Sequence, residues 1–167
     1  GQRDSTDAAY LPDGVRDGAF VSLFPDATIE IEGSYAAGKL DGAWKRHYPG
    51  GAIAEEGQYI AGQQDGHWRQ LSPAGTVLGE YTLKKGTGTK KRWFDDGPLY
   101  SERELRAGAP WGMQKIFDHE GNVMISGKLF GKLYEGDHTV GWKNTLRIEE
   151  TFKRGTRVGP RKIWQFW

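Results

Sequence analysis

Asp41-Gly42-Ala43-Trp44 returns 24 residues later as Asp65-Gly66-His67-Trp68, with Gly57-Gln58-Tyr59-Ile60-Ala61-Gly62 between the two copies. Self-similarity at a fixed spacing of this size is the sequence signature of a repeat architecture. The motif glycine recurs at spacings of 24, 24, 22 and 24 residues, at Gly18, Gly42, Gly66, Gly88 and Gly112. A second landmark keeps the same register, at Tyr35, Tyr59, Tyr81, Leu105, Leu129 and Phe152. Two landmarks that move together predict an array of similar units.

Each unit has the pattern of a β-hairpin. In the second unit, Trp44 and Arg46 alternate with Lys45 and His47 before the turn Pro49-Gly50-Gly51. Period-two alternation bounded by glycine and proline is typical of two strands joined by a tight turn. The corresponding turns are Pro25-Asp26-Ala27, Pro73-Ala74-Gly75, Asp95-Asp96-Gly97 and His119-Glu120-Gly121.

The pattern predicts an all-β protein, an elongated, twisted single antiparallel sheet of stacked β-hairpin repeats with about a dozen strands. Residues 1–16 are expected to form a polar leader or linker, and residues 17–167 a single repeat domain. The repeats are expected near 17–40, 41–64, 65–88, 89–110, 111–131 and 132–158, with a closing strand at 159–167. Stacking aligns a column of glycines that leaves room for neighbouring aromatic rings and is broken by Arg103: Gly33, Gly57, Gly79 and Gly127.

Composition argues against several classes of protein. Hydrophobic residues make up 37% of the 167 residues, and 25 glycines accompany 7 prolines, which favours short strands with tight turns. The net charge is +1, from 23 basic and 22 acidic residues spread along the chain, so no nucleic-acid partner is predicted. Because the chain has no cysteine, it cannot form disulfides, thiolate zinc sites or cysteine nucleophiles.

The order Asp-Gly-x-Trp, Tyr-Pro-x-Gly and Glu-Gly-x-Tyr-x-x-Gly resembles the MORN (membrane occupation and recognition nexus) repeat variant found in many bacterial proteins. Asp41–Gly62 and Asp65–Gly86 carry this pattern well, Asp17–Gly38 nearly so, and the match is degenerate from Thr89 onward. The resemblance covers roughly residues 17–155 and implies an antiparallel repeat sheet without catalysis of its own. Members of this variant family are often antitoxin or immunity components, and related repeats are associated with phospholipid binding and protein assembly.

No catalytic, metal or cofactor site is predicted. The histidines show neither the HxH nor the HxxxH spacing of metal ligands; they are His47, His67, His119 and His138. No serine lies in a Gly-x-Ser-x-Gly turn. Glu55-Glu56 and Glu149-Glu150 are adjacent on predicted strands, so the two carboxylates of each pair point to opposite faces. We therefore expect a protein that is not an enzyme.

A basic segment from Lys84 to Arg92 interrupts the array. It lacks the full spacing of a phosphate-binding loop, and no predicted helix follows it, so its ordinary interpretation is a variant return turn. The alternative is a patch that attracts an anionic headgroup or an acidic protein surface.

The aromatic position after each Asp-Gly turn also changes halfway along the chain, and reads Phe20, Trp44, Trp68, Lys90 and Gln114. Repeat decay is one explanation, and remodelling for a specific partner is the other. Aromatic and arginine side chains dominate the energetics of protein interfaces. The predicted partner-binding residues are Lys90, Lys91, Arg92, Trp93, Phe94 and Trp111.

The leading functional hypothesis is a binding protein that neutralises a partner toxin or secreted effector, encoded by an adjacent gene, by steric occlusion. The alternative is a peripheral module that binds anionic phospholipid or serves as an assembly scaffold. The polar stretch 1–7 is of the kind that follows a cleaved export signal or a lipid-bearing cysteine, which would make this a periplasmic or envelope-anchored lipoprotein; the equally weighted alternative is a cytoplasmic protein. The aromatic stretch 163–167 is expected to cover the last hairpin or, if exposed, to be a contact site.

Overall fold

The computed structural model describes residues 14–142 and 146–165. Most of the predicted leader, residues 1–13, lies outside this range, as do Phe166 and Trp167 of the predicted closing strand. The strands are β1 (Gly18–Leu23), β2 (Ile29–Ala36), β3 (Lys39–Leu40), β4 (Gly42–His47), β5 (Ile53–Ile60), β6 (Gln63–Leu71), β7 (Val77–Leu83), β8 (Gly88–Trp93), β9 (Leu99–Arg106), β10 (Ala109–Phe117), β11 (Val123–Phe130), β12 (Leu133–Trp142), β13 (Leu146–Lys153) and β14 (Thr156–Gln165).

These strands form two antiparallel sheets, and each sheet has 7 strands. The chain divides between the same strands into two compact units, Gly1–Gly86 and Thr87–Trp167. The first sheet has the order β1-β2-β4-β5-β6-β7, with β3 paired to β2, and the second has the order β14-β13-β12-β11-β10-β9-β8. The described residues contain no helix. The predicted all-β class of stacked antiparallel hairpins is confirmed.

The strands form two sheets where the sequence predicted one. In the first unit, three residues lie between the return-turn glycine and the next motif glycine, in Gly38–Gly42 and in Gly62–Gly66. Part of this return pairs with the preceding strand and extends the ladder, as Leu40 does with Tyr35. The return Gly86–Gly88 is two residues shorter. The division between the two sheets falls at this shorter return, between β7 and β8.

The hairpin turns close in one common way. In the first turn, the Phe24 amide donates to the Thr28 carbonyl at 2.8 Å, and the Ala27 amide donates to the Phe24 carbonyl at 2.9 Å. Ala27 has a φ of 66°, in the left-handed region that the later turns fill with glycine. The same pair of hydrogen bonds closes the turns at 48–52, 72–76, 94–98 and 118–122. The five predicted hairpin turns are thus observed where the sequence placed them.

The aspartate of each Asp-Gly motif accepts a hydrogen bond from the return turn that ends its own unit. Asp41 Oδ2 accepts a hydrogen bond from the Ala61 amide at 2.9 Å, and Asp65 Oδ1 accepts one from the Lys85 amide at 2.6 Å. Both donors have a φ of 49°, which residues with a Cβ rarely adopt. Three further return turns have the same hydrogen bond: the Ala37 amide donates to Asp17, the Ala107 amide to Thr87 and the Arg154 amide to Glu135. A side-chain acceptor therefore holds a tight turn in an unfavourable conformation.

Aromatic rings lie over the glycine column. A Cβ on Gly57 would overlap the indole of Trp68, and a Cβ on Gly33 would lie 2.9 Å from Phe20 and 3.2 Å from Trp44. The indoles of Trp44 and Trp68 are in turn neighbours, with ring centroids 5.6 Å apart. Glycine is required in this column because the rings occupy the space of a side chain.

The first sheet buries its aromatic face. Trp68 is fully buried and Tyr81 nearly so. Glu55 is buried on the same face and accepts a hydrogen bond from the Tyr81 hydroxyl at 3.1 Å. Burial, aided by the nearby Glu55 carboxylate, raises the pKa of Tyr81. Glu56 lies on the opposite face and forms an ion pair with Arg69, as the alternation of strand side chains requires.

Replacing Asp65 with alanine removes the acceptor for the Lys85 amide. We expect the free energy of unfolding, measured in urea, to fall by about 1 kcal/mol, the usual cost of losing a side-chain cap. Asp65→Asn keeps an acceptor oxygen and is the matched control, for which we expect a smaller loss. Equal losses for the two variants would contradict this role of the hydrogen bond.

Replacing Gly57 with alanine forces a methyl group against the buried indole of Trp68. We expect the free energy of unfolding to fall by about 2 kcal/mol, as in other overpacked cores. Gly141→Ala is the control, because a Cβ there would lie no closer than 3.4 Å to its neighbours. A loss for Gly57→Ala no larger than for Gly141→Ala would show that the ring does not require glycine.

Candidate functional site

The six predicted partner-binding residues do not form one cluster. The stretch 90–93 lies on β8, Phe94 begins the hairpin turn that follows, and Trp111 lies on β10. Trp111 is near the return turn that joins β9 to β10, whereas Phe94 is at the hairpin-turn end of the same strands. These two ends are separated by on the order of 20 Å of strand. Each predicted residue therefore has to be assessed in its own surroundings.

Lys91 and Arg92 occupy regular positions of the array. Lys91 corresponds to Lys115 of the next hairpin, whose ammonium lies 3.1 Å from the Glu102 carboxylate. Lys91 is opposite the same Glu102 in the β8–β9 ladder. Because side chains alternate along a strand, Lys90 and Arg92 share one face and Lys91 lies on the other. The cations of β8 do not converge on a single patch.

Trp93 and Phe94 also belong to the scaffold. Trp93 is half-buried at the end of β8, a position that is apolar in three other hairpins, as Leu23, Leu71 and Phe117, and His47 in one. The Phe94 amide donates to the Pro98 carbonyl at 2.9 Å and so closes the hairpin turn. The Phe94 ring stacks on His119 of the next turn, with centroids 3.7 Å apart. Phe94 thus connects neighbouring turns of the second sheet.

Lys90 stands where the first sheet has tryptophan, and the glycine column changes one repeat later. Arg103 replaces the column glycine and is opposite both Lys90 and Gln114 in the ladder. At the end of the chain the same two columns hold Arg161 and Glu150, which form an ion pair with Nε and Oε1 2.7 Å apart. Two repeats, with Gln114 and Arg103 and with Arg161 and Glu150, have lost both the ring and the glycine 11 residues before it, whereas Gly79 is kept before Lys90. The end of the aromatic stripe is thus followed, one repeat later, by a change in the glycine column.

Trp111 departs from the scaffold pattern. It precedes the motif glycine, where the other units with a described return turn have a hydrogen-bond acceptor, namely Asp17, Asp41, Asp65, Thr87 and Glu135. An indole N–H donates and cannot accept. At the return turn of this unit, the Gly131 amide donates to the Pro110 carbonyl at 2.7 Å, the same backbone hydrogen bond that Gly62 makes to Leu40 and Gly86 makes to Gln64. In this unit, a tryptophan occupies the position where the other units have a side-chain acceptor for the return turn.

Trp111 lies within an exposed apolar patch on the second sheet. Its side chain is 46% exposed, its ring meets Phe130 edge to face with centroids 4.8 Å apart, and the Arg106 guanidinium lies 5.4 Å from its ring centroid. Leu133 is 51% exposed and is opposite Phe130 in the β11–β12 ladder, so the two side chains share a face. Arg106, Trp111, Phe130 and Leu133 are named the Trp111 patch below.

The sequence singled out Trp111 but not its neighbours. Arg106, Phe130 and Leu133 lie where the match to the repeat is degenerate, so no alignment column distinguishes them. The available signal was the run of polar acceptors before the motif glycine, which Trp111 interrupts with an apolar ring.

His138 returns a ring to the aromatic column. It is buried over Gly127, beside Tyr134 with ring centroids 4.5 Å apart, and its Nε2 has no hydrogen-bond partner among the described residues. Burial lowers the pKa of His138, and the Glu150 carboxylate opposes this effect. His138 therefore packs as a neutral ring, in keeping with the structural role expected for the histidines.

A buried histidine with a lowered pKa makes stability depend on pH. Below the ordinary histidine value of 6.5, the unfolded chain binds a proton that the folded chain binds more weakly, so the free energy of unfolding falls as the solution is acidified. We expect urea unfolding at pH 7.5 and pH 5 to show a larger loss for the wild type than for His138→Phe, which keeps a ring over Gly127. Equal losses would contradict a buried neutral His138.

Within residues 14–142 and 146–165, no group of three or more histidine, aspartate or glutamate side chains is placed to hold a metal ion. The same residues include no helix that is long and apolar enough to cross a membrane.

No family model matches the chain, and a comparison with curated proteins finds no similar sequence. The resemblance to the MORN repeat variant therefore stays a prediction that depends on the residues quoted for it.

Proposed function

We propose that this chain is a non-enzymatic protein-binding module that recognises a partner protein through the Trp111 patch. The proposal depends on one observation: Trp111 replaces a scaffold acceptor with a half-exposed indole. Burying this ring against a partner would remove apolar surface from water, while the adjacent Arg106 would supply a cation for polar contacts at the rim. Tryptophan and arginine are the residues most often found at the energetic centre of protein interfaces.

Neutralisation of a toxin or secreted effector is the biological role that we propose for this binding. The resemblance to antitoxin and immunity-type MORN repeat proteins supports it, and occlusion of the partner's active site would require no chemistry from this chain. The basic segment gives the lipid-binding alternative less support, because the β8 cations are divided between two faces.

The test compares variants of Trp111 for binding to the product of the adjacent gene. We expect Trp111→Ala to weaken binding by about 30-fold, the effect of truncating an interface tryptophan, and to abolish rescue of cells that express the partner. Ile60→Ala is the control, since Ile60 is 48% exposed on the first sheet and should bind like the wild type.

A second variant, Trp111→Asp, separates binding from folding. It restores a carboxylate at the position where the other units have an acceptor, so we expect its unfolding free energy to stay within about 1 kcal/mol of the wild type. Binding should be lost as in Trp111→Ala. Wild-type binding by both Trp111 variants would overturn the assignment of the patch, and the absence of any complex with the adjacent gene product would overturn the proposed role.

A further inference from the structure

The second sheet ends in an exposed edge. β14 pairs with β13 on one side, and the described part of the chain places no strand on its other side. Every residue from Thr156 to Gln165 is exposed. An edge strand presents backbone N–H and C=O groups that can pair with a strand from another molecule.

This edge is basic. The β13–β14 hairpin, residues 146–165, has six cationic and two anionic side chains, a net charge of +4 against +1 for the whole chain. Both glutamates already face arginine: Arg147 lies 2.7 Å from Glu149, and Arg161 lies 2.7 Å from Glu150. β14 itself contains no aspartate or glutamate. Positive charge is therefore in excess along the exposed edge.

The edge is built against pairing with its own copy. Antiparallel association of two β14 strands would bring Arg161 and Lys162 of each close to the same charges of the other, which is unfavourable. Pro160 has no backbone N–H, and the β13–β14 register shifts between Glu149 and Thr151. Proline, lysine and bulges are the means by which natural edge strands avoid one another. The like charges oppose only a strand of the same sign, and Pro160 removes one donor, so the stretch beyond Pro160 stays available to a strand of opposite sign.

Beyond Pro160 the edge alternates in character. Lys162 is followed by Ile163, which is 56% exposed, and by Trp164, which is 37% exposed. These residues are opposite the regular stretch of β13 from Leu146 to Glu149. A strand added here would meet a basic side chain together with apolar side chains on both faces.

We propose that β14 is a docking edge that accepts an extended acidic segment of a partner protein by β-strand addition. Main-chain hydrogen bonds would provide part of the affinity, and carboxylates at alternate positions would provide the selectivity. The edge beyond Pro160 is separate from the Trp111 patch, because the nearest patch residue, Leu133, begins β12, two strands from β14, whereas the stretch beyond Pro160 is level with the other end of β12.

The test uses the full chain and a synthetic eight-residue peptide that alternates glutamate with valine. We expect saturable binding, with chemical-shift changes and slowed amide exchange at β14. The same peptide with lysine for glutamate should bind at least about tenfold more weakly. A glutamate peptide N-methylated at every residue keeps its charge but loses its backbone donors on both edges, and should not bind.

Charge reversal at Lys162 tests the site. We expect Lys162→Glu to weaken binding of the glutamate peptide by about fivefold, the scale of an exposed charge pair. Lys39→Glu makes the same change in net charge on an exposed residue of the first sheet and should leave binding unchanged.

Three results would overturn the docking edge: equal binding of the acidic and basic peptides, retained binding of the N-methylated peptide, or self-association of the chain through β14. Trp111→Ala should bind the glutamate peptide like the wild type, so failure at the edge and failure at the Trp111 patch can be told apart.

Discussion

The hydrogen bond from a return-turn amide to an acceptor side chain 19 or 20 residues earlier is the contact on which the array depends. It joins the first residue of a hairpin unit to the turn that ends the same unit. It also compensates a backbone conformation with positive φ at residues that are mostly not glycine, such as Ala61. Each of these turns is therefore held by a side chain of the unit to which it belongs.

This arrangement makes departures from the pattern informative. Thr87 and Glu135 still provide an oxygen and still accept the turn amide, so these replacements preserve the scaffold. Trp111 cannot accept a hydrogen bond, and its unit shares with the others the backbone hydrogen bond from the return-turn glycine, here from the Gly131 amide to the Pro110 carbonyl. The indole of Trp111 contacts Phe130 and Arg106 and stays half-exposed. This exposed ring is the observation on which the proposed function depends.

The sequence predicted much of the fold and little of the site. Fixed spacing and period-two alternation were sufficient for the hairpins and their turns, because both depend on local geometry. The spacing of 22 residues between Gly66 and Gly88 was visible. The division into two sheets depends on which residues pair across the ladder, and alternation alone does not reveal that pairing. The Trp111 patch was missed for a similar reason, since Phe130 and Leu133 meet Trp111 through cross-strand register. Lys91 and Phe94 were singled out by type, although their positions in the array are ordinary.

The ring-over-glycine contact imposes an order on how the repeats can diverge. A ring and the glycine beneath it are 11 residues apart, as are Trp68 and Gly57, and both positions have changed in the pair Arg161 and Glu150. Mutation of the glycine first would drive a side chain into the ring, whereas mutation of the ring first leaves a gap that a later side chain can fill. The ring is therefore expected to be replaced before the glycine. A repeat that keeps the glycine without a ring is an intermediate in that replacement, and Gln114, paired with Arg103, marks a repeat that has completed it.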